Sequence, residues 1–210
     1  MVVTAIFANL LAPYSMYQIH LADRLKPPSA LYVLGTDDLG RDLLSRIIFG
    51  ARISLAVGLA GSALATLVAI LIGLSSGFIG GAFDLVIQRF VDAWMCFPGM
   101  FIVLTVMALL GPGLFQVIIV LGILAGIGNS RIVRSATIGI KENLYVSAAA
   151  AVGCSRTRLL IRHILPNIMA PIIILFTVAM GGMIIMEAGI SFLGFGVPPP
   201  APSWGGMLSG

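Results

Sequence analysis

Few residues of this chain have the types and spacing that catalysis or metal binding requires. A phosphate-binding loop ends in Gly-Lys-Ser/Thr, but the two lysines, Lys26 and Lys141, follow Leu and Ile. His20 and His163 are far apart and have no carboxylate or cysteine partners at metal-ligand spacing. We therefore expect no catalytic residue, no metal and no cofactor, and we expect that the protein is not an enzyme.

The composition is that of a membrane protein. Hydrophobic residues make up 59% of the 210 positions and charged residues 10%, and the mean hydropathy is +1.10. Soluble domains carry about 25% charged residues. The apolar runs are continuous rather than alternating, which favours membrane helices over a β-barrel. The sequence therefore predicts an all-α, polytopic helical bundle within a lipid bilayer.

Uncharged runs and turn residues predict where the helices cross the membrane. One span is expected from Ile53 to about Ile79, after a loop and short interfacial helix within residues 29–52. The next is expected to begin around 84–92 and to break at residues 96–99, where Pro98 interrupts it. After the Gly-Pro-Gly turn at 111–113, a third is expected from Leu114 to Ile127. A fourth is expected from Ile168 to about Ile190.

Basic residues are concentrated between positions 131 and 162, where Glu142 is the single acidic residue. They are Arg131, Arg134, Lys141, Arg156, Arg158 and Arg162, half of the twelve Lys and Arg residues. Such an excess marks the cytosolic side of a membrane protein, and it is not interpreted as a nucleic-acid site. The same orientation places Asp37 on the outer side of the membrane.

The basic segment is itself predicted to form two short helices around a corner. Residues 148–151 are all alanine and favour a helix, and Gly153 permits the left-handed conformation that other residues resist. A second helix is predicted from Arg156 to Ile164, ahead of Pro166. A compact cytosolic element of this kind could dock in a groove of a partner, whereas the alternative is a solvated basic loop near anionic lipid.

Three stretches resemble the permease subunits of dipeptide, oligopeptide and nickel ABC importers. They are LGTDDLGRD at 34–42, the basic segment at 145–167, and EAGISFLGFG at 187–196 followed by PSWG at 202–205. The basic segment is similar to the EAA loop of this family, with Ser147 where the family motif opens with Glu, and with His163 where an aliphatic residue is usual.

The resemblance implies a type I ABC importer transmembrane domain, as a fragment that lacks most of the first helix and the last helix. Residues 1–52 would hold the end of the first helix, an external loop and an interfacial helix, and residues 53–210 would hold the transmembrane domain. The resemblance implies that this domain carries a cytoplasmic coupling loop at about 131–167. The chain would form half of an ATP-driven pathway for peptides or related small solutes in the inner membrane.

The resemblance also implies partners and site residues. The partners are a homologous second permease, two ATP-binding subunits, an external solute-binding protein and the lipid bilayer. The implied ATPase-coupling residues are Ser147, Ala148, Ala149, Gly153, Arg156, Leu165 and Pro166, and those of the external signature are Gly35, Thr36, Asp37, Asp38, Gly40, Arg41 and Asp42. The external residues could instead form a self-paired loop.

Two residues of the last predicted span are candidates for the pathway. Glu187 is expected near the outer interface, where it could line the pathway or satisfy helix contacts, and Met183 could face a variable substrate or pack between helices. The alternative function is a secondary transporter or channel subunit independent of ATP, which should carry ionisable residues at mid-membrane. A non-transporting scaffold would leave the basic segment unexplained. The residues do not distinguish peptides, glutathione or nickel complexes as the substrate.

Overall fold

A computed structural model describes residues 2–208, and its regular structure is helical. The ten α-helices of this part of the chain are α1 Val2–Ile6, α2 Ala8–Leu11, α3 Leu43–Ile79, α4 Gly81–Met95, α5 Gly99–Leu110, α6 Leu114–Lys141, α7 Leu144–Ala151, α8 Arg156–Arg158, α9 Met169–Phe192 and α10 Trp204–Leu208. A 3-10 turn spans Leu21–Asp23, and a π-helix (Leu159–Ile164) and a 3-10 helix (Leu165–Ile168) join α8 to α9. Within 2–208, extended pairing is limited to the bridge between Thr36 and Asp42.

The membrane-length helices confirm the predicted spans. Among the described residues, three helical segments are long and apolar enough to cross a bilayer: Leu43–Ile79, Leu114–Lys141 and Arg156–Phe192. A fourth crossing results if α4 and α5, which meet at an angle of 82°, form one broken span. Pro98 lies in this break, as predicted, because its ring cannot continue the preceding helix.

Two helix boundaries differ from the sequence prediction. The separate interfacial helix expected before Arg52 does not form, because α3 begins at Leu43 and continues without a break to Ile79. α6 passes the predicted end at Ile127 and reaches Lys141, so the first part of the expected 131–167 loop is helical. The prediction had ended this helix before its first charged residue, yet Arg131 and Arg134 have acidic partners within the fold.

The described residues form two compact units. The first comprises the described parts of 1–59, 106–118 and 182–210. In its core, Ala5, Ala51 and Leu55 pack together with Trp204. The indole Nε1 of Trp204 donates a hydrogen bond of 3.0 Å to the Ile47 carbonyl. These contacts tie the short terminal helix α10 to the start of α3.

The second unit comprises 60–105 and 119–181, and small residues bring its helices close together. A Cβ atom added to Gly73 would lie 2.4 Å from the Ser130 carbonyl oxygen, and one added to Gly126 would lie 2.7 Å from the Ala65 carbonyl oxygen. The backbones of α3 and α6 are therefore in direct contact. Close packing through glycine is the usual basis of helix association in lipid, where hydrophobicity gives no preference.

Candidate functional site

The basic segment folds as a corner between two helices. α7 ends at Ala151, and Gly153 has a φ of +86°, the left-handed conformation that the sequence predicted. The Gly153 and Cys154 amides donate to the carbonyls of Ala150 and Ala149, at 3.0 and 3.1 Å. We call residues 144–168 the corner segment.

The second helix of the corner segment begins where the sequence predicted. Ser155 precedes α8, and its Oγ accepts a hydrogen bond of 3.4 Å from the Arg158 amide. A serine in this position satisfies an amide that has no partner within the helix. The corner is therefore stabilised by backbone hydrogen bonds at the end of α7 and by a helix cap at the start of α8.

An apolar core fixes the inner face of the corner segment. Val146, Leu159 and Ile164 are buried together, against Phe78 near the end of α3 and Ile140 near the end of α6. Because side chains from both helices of the corner enter this core, the segment is held to the membrane helices on two sides.

A hydrogen bond also joins the ends of α3 and α6, against which the corner segment packs. The ammonium group of Lys141 donates 2.6 Å to the Phe78 carbonyl, one of the last acceptors of α3. Apolar contacts thus join the corner segment to α3 and α6, and a polar contact joins α3 to α6.

The outer face of the corner segment is exposed. Leu144 and Val152 have 85% and 86% of their surface accessible. Of the residues predicted to couple to an ATPase, Ser147, Ala148, Gly153, Arg156 and Pro166 are also exposed, whereas Ala149 and Leu165 are half-buried. Arg158 and Arg162 line a shallow cavity of about 340 Å³ beside Gly153. This face therefore combines apolar side chains with positive charge.

Helix geometry changes where the corner segment joins α9. Residues 159–164 form a π-helix and 165–168 a 3-10 helix, so the chain remains helical through Pro166. Proline has no amide proton to donate. The Asn167 side chain instead donates 2.6 Å to the carbonyl of His163.

The external signature folds into a loop in which Asp37 and Asp42 accept hydrogen bonds from neighbouring residues of the chain. Asp37 accepts hydrogen bonds of 2.9 Å from the amides of Leu39 and Arg41, and one of 2.7 Å from the Arg41 guanidinium. Burial alone would raise the pKa of Asp37, but these hydrogen bonds and the positive charge of Arg41 lower it below the usual value. The signature therefore holds its own turn together.

Asp42 starts α3. Its carboxylate accepts 2.8 Å from the Ser45 amide and 2.6 Å from the Ser45 hydroxyl, as a residue preceding a helix should. Thr36, which pairs with Asp42 in the isolated bridge, accepts 2.8 Å from the Lys26 amide through Oγ1. Both residues are 5% exposed, so the loop is more closely packed than a solvated loop would be.

The two glycines of the signature are required by close backbone contacts. Gly35 and Gly40 have φ values of +82° and +75°. A Cβ atom on Gly40 would lie 1.9 Å from the His20 carbonyl oxygen, and one on Gly35 would lie 2.5 Å from that of Lys26. Within the signature, Asp38 is the acidic residue with the most exposed side chain, at 50%.

The two pathway candidates are buried within this chain. Glu187 is 0% exposed, and its Oε1 accepts 2.6 Å from the Ser191 hydroxyl, while Oε2 has no hydrogen-bond partner. Met183 is 3% exposed. The contacts observed here are those of helix packing, and a role of either residue in the pathway stays a prediction.

Sequence reasoning missed an ionic network between helices of the second unit. Arg134 of α6 donates to both carboxylate oxygens of Asp84 in α4, with distances of 2.6 and 2.5 Å. Ser76 of α3 also donates to Asp84, and Gln88 donates 3.1 Å to Ser76. The signal was opposite charges on apolar helices, because such charges require partners in lipid.

Comparison with known proteins identifies the family. Residues 69–210 match the family described as binding-protein-dependent transport system inner membrane component. The dipeptide transport system permease protein DppC of Alkalihalophilus pseudofirmus is 39% identical over 208 residues, which cover 99% of this chain and 68% of the relative. The oligopeptide transport system permease protein OppC of Bacillus subtilis has the same identity and coverage. The glutathione transport system permease protein GsiD of Pectobacterium atrosepticum is 36% identical over 210 residues, covering 100% of this chain and 70% of the relative.

The chain belongs to the binding-protein-dependent, ABC importer family of inner-membrane permeases. This confirms the resemblance seen in the sequence and decides against a secondary transporter or channel. Its relatives are transport permeases, which are not enzymes, and the family description implies ATPase and solute-binding partners.

Proposed function

We propose that this chain forms half of the translocation pathway of an ATP-driven importer for peptides or related small solutes. The names of the relatives, which specify dipeptides, oligopeptides and glutathione, support this substrate class. A homologous second permease would form the other half. Two ATP-binding subunits and an external solute-binding protein would complete the transporter.

We infer that the corner segment is the surface on which an ATP-binding subunit docks. The observation that carries this proposal is the combination of a fixed inner face with an exposed outer face. Val146, Leu159 and Ile164 attach the segment to α3 and α6, while Val152 and the basic residues remain free of the core. Movement of a docked partner would therefore be transmitted to the membrane helices as a rigid-body displacement.

Gly153 provides the most direct test of this docking surface. A Cβ atom at this position meets nothing within 4 Å, so a side chain there is opposed by the positive φ and not by space. An L-residue in this conformation costs about 1–2 kcal/mol, and a β-branched residue fits it least well. We expect Gly153→Val to reduce co-purification of the ATP-binding subunits, and solute uptake, by roughly tenfold, with Gly153→Ala intermediate.

Gly139→Val is the matched control. Gly139 lies in α6, also has open space for a Cβ, and lacks a positive φ. It should leave docking and uptake near the wild-type level. If Gly153→Val retains both, the corner is not required for docking. If Gly153→Val instead removes the protein from the membrane, Val152→Asp tests the same surface. The Val152 side chain is 86% exposed, so folding should tolerate this change.

A further inference from the structure

The first compact unit contains a cavity that is separate from the corner segment and is not filled by side chains. Its volume is about 500 Å³, within the range of small-molecule sites. The external signature forms one part of its lining, and the residues that follow α9 form another. Most of the lining is apolar and includes Leu39, Leu43, Val197, Pro198 and Met207. We call it the external cavity.

Four charged residues line the external cavity, and two of them form a hydrogen-bonded ion pair with each other. They are Asp37, Asp38, Arg41 and Arg46. Asp37 accepts from Arg41 at 2.7 Å and from two backbone amides, so both groups contribute to the loop itself. The other two form only longer ion pairs, Arg46 at 3.5 Å from Asp37 and Asp38 at 3.8 Å from Arg41.

Arg46 is a buried cation with unused hydrogen-bonding capacity. The residue is 8% exposed, and its Nη1 is buried without a hydrogen bond. Its nearest acidic oxygen, Asp37 Oδ2, is 3.5 Å away and already bonded to Arg41. A buried charged donor without an acceptor is unfavourable. A ligand oxygen would remove this deficit.

Asp38 supplies the opposite charge in a more accessible place. Its side chain is 50% exposed, and its Oδ1 is 3.8 Å from Arg41 Nη2, beyond hydrogen-bond distance. Ser191 and Ser203 also line the cavity. Ser203 donates 3.3 Å to the Ser191 hydroxyl, and Ser191 donates 2.6 Å to Glu187. The external cavity thus offers a buried positive group, an exposed negative group and an apolar surface.

We propose that the external cavity binds a short peptide with free termini. Arg46 binds the carboxylate of the peptide, Asp38 binds its ammonium group, and the apolar lining accepts a side chain. A simple anion would be repelled by the Asp38 carboxylate, and an uncharged ligand would give the Arg46 guanidinium no anionic partner. The inference rests on the proposed function in so far as peptides are the transported solutes.

Binding of alanyl-phenylalanine to the assembled transporter, without its solute-binding protein, tests the proposal. The complex is placed in nanodiscs, and affinity is measured by equilibrium dialysis of labelled peptide. The free dipeptide should bind at least about tenfold more tightly than its N-acetylated, C-amidated analogue, the difference expected for losing one charge-assisted hydrogen bond.

Variants locate the binding in the external cavity. Arg46→Gln and Asp38→Asn should each weaken binding of the free dipeptide by about tenfold and have little effect on the blocked analogue. Because Arg46→Gln could disturb the loop, Ala201→Phe provides a second variant, which fills the cavity and leaves its charges in place. Arg24→Gln is the control, since Arg24 is exposed on the same unit outside the cavity lining.

Three results would overturn the proposal. The first is equal affinity for free and blocked dipeptides. The second is wild-type affinity in both Arg46→Gln and Ala201→Phe. The third is that the cavity variants bind the dipeptide as the wild type does but dock the solute-binding protein more weakly. That result would make the cavity a contact site for the solute-binding protein. If the ATP-binding subunits co-purify and the corner variants behave as expected, any of these results rejects the external site and leaves the proposed function standing.

Discussion

At the scale of single residues, the external signature acts mainly on its own loop. Asp42 caps α3, Asp37 closes the turn, and the two glycines allow the chain to pass close to itself. The sequence named these residues through the family resemblance, with a self-paired loop as the alternative, and did not predict the helix cap. It could not show that Gly40 lies against His20, since that contact joins positions far apart in the chain.

Gly40 and Gly111 separate the effect of a close contact from that of backbone conformation. Both have positive φ values, +75° and +82°. A Cβ at Gly40 would lie 1.9 Å from the His20 carbonyl oxygen, whereas one at Gly111 meets nothing within 4 Å. Gly111→Ala should cost about 1–2 kcal/mol of stability, and Gly40→Ala should cost clearly more. Thermal denaturation of the purified protein in detergent measures the difference, and equal losses would show that the loop yields at His20.

Gly153 shows what the sequence could predict. A run of alanines followed by a glycine and then by basic residues favours a helix, a left-handed corner and a second helix, all of which are local features. The contacts that fix this corner are not local, because they join it to Phe78 and Ile140 on other helices. The shape was therefore accessible from the sequence, and its attachment was not.

At the scale of helices, uncharged runs located the spans but misplaced two boundaries, the start of α3 and the end of α6. α6 continues to Lys141 because its arginines are neutralised by α4, with Arg134 bonded to Asp84 and Arg131 to Asp92. Counting charges along one helix cannot reveal pairing between helices. The C-terminal end of α6 thus depends on contacts between helices, which the sequence alone does not show.

The Asp84–Arg134 pair should contribute more to stability than the Asp92–Arg131 pair. The side chains of the first pair are 15% and 30% exposed, and those of the second are 42% and 43% exposed. Arg134→Leu should cost about 1.5–3 kcal/mol, because Asp84 is left without its cation. Adding Asp84→Leu should recover part of this loss, since removal of both charges avoids an unpaired buried group.

The same double-mutant cycle at Asp92 and Arg131 is the control, with an expected coupling of less than about 1 kcal/mol. Denaturation of the four proteins in each cycle provides the coupling energies. Equal coupling in the two pairs would mean that lipid or a partner shields the second pair as well. A double variant at Asp84 and Arg134 that is less stable than the sum of the single changes would contradict the role given to this pair.

At the scale of the whole molecule, the arrangement of charges predicts how the chain lies in the membrane. The corner segment and the end of α6 carry the excess of basic residues expected on the cytosolic side. From there, α9 leads to the residues after Phe192, and α3 begins at the external signature. The external signature and the residues after Phe192 should therefore face the outside.

Single cysteines introduced into a variant without Cys96 and Cys154 test this orientation. Ser29 and Pro198 are exposed on the predicted outer side, and Ser155 is exposed at the corner. In intact cells, a membrane-impermeant maleimide should label Ser29→Cys and Pro198→Cys and should not label Ser155→Cys. Permeabilised cells supply the control, because all three positions should then react. Labelling of Ser155→Cys from outside would invert the orientation and place the corner segment beyond the reach of a cytosolic ATPase, which would reject the docking proposal whatever the effect of Gly153→Val.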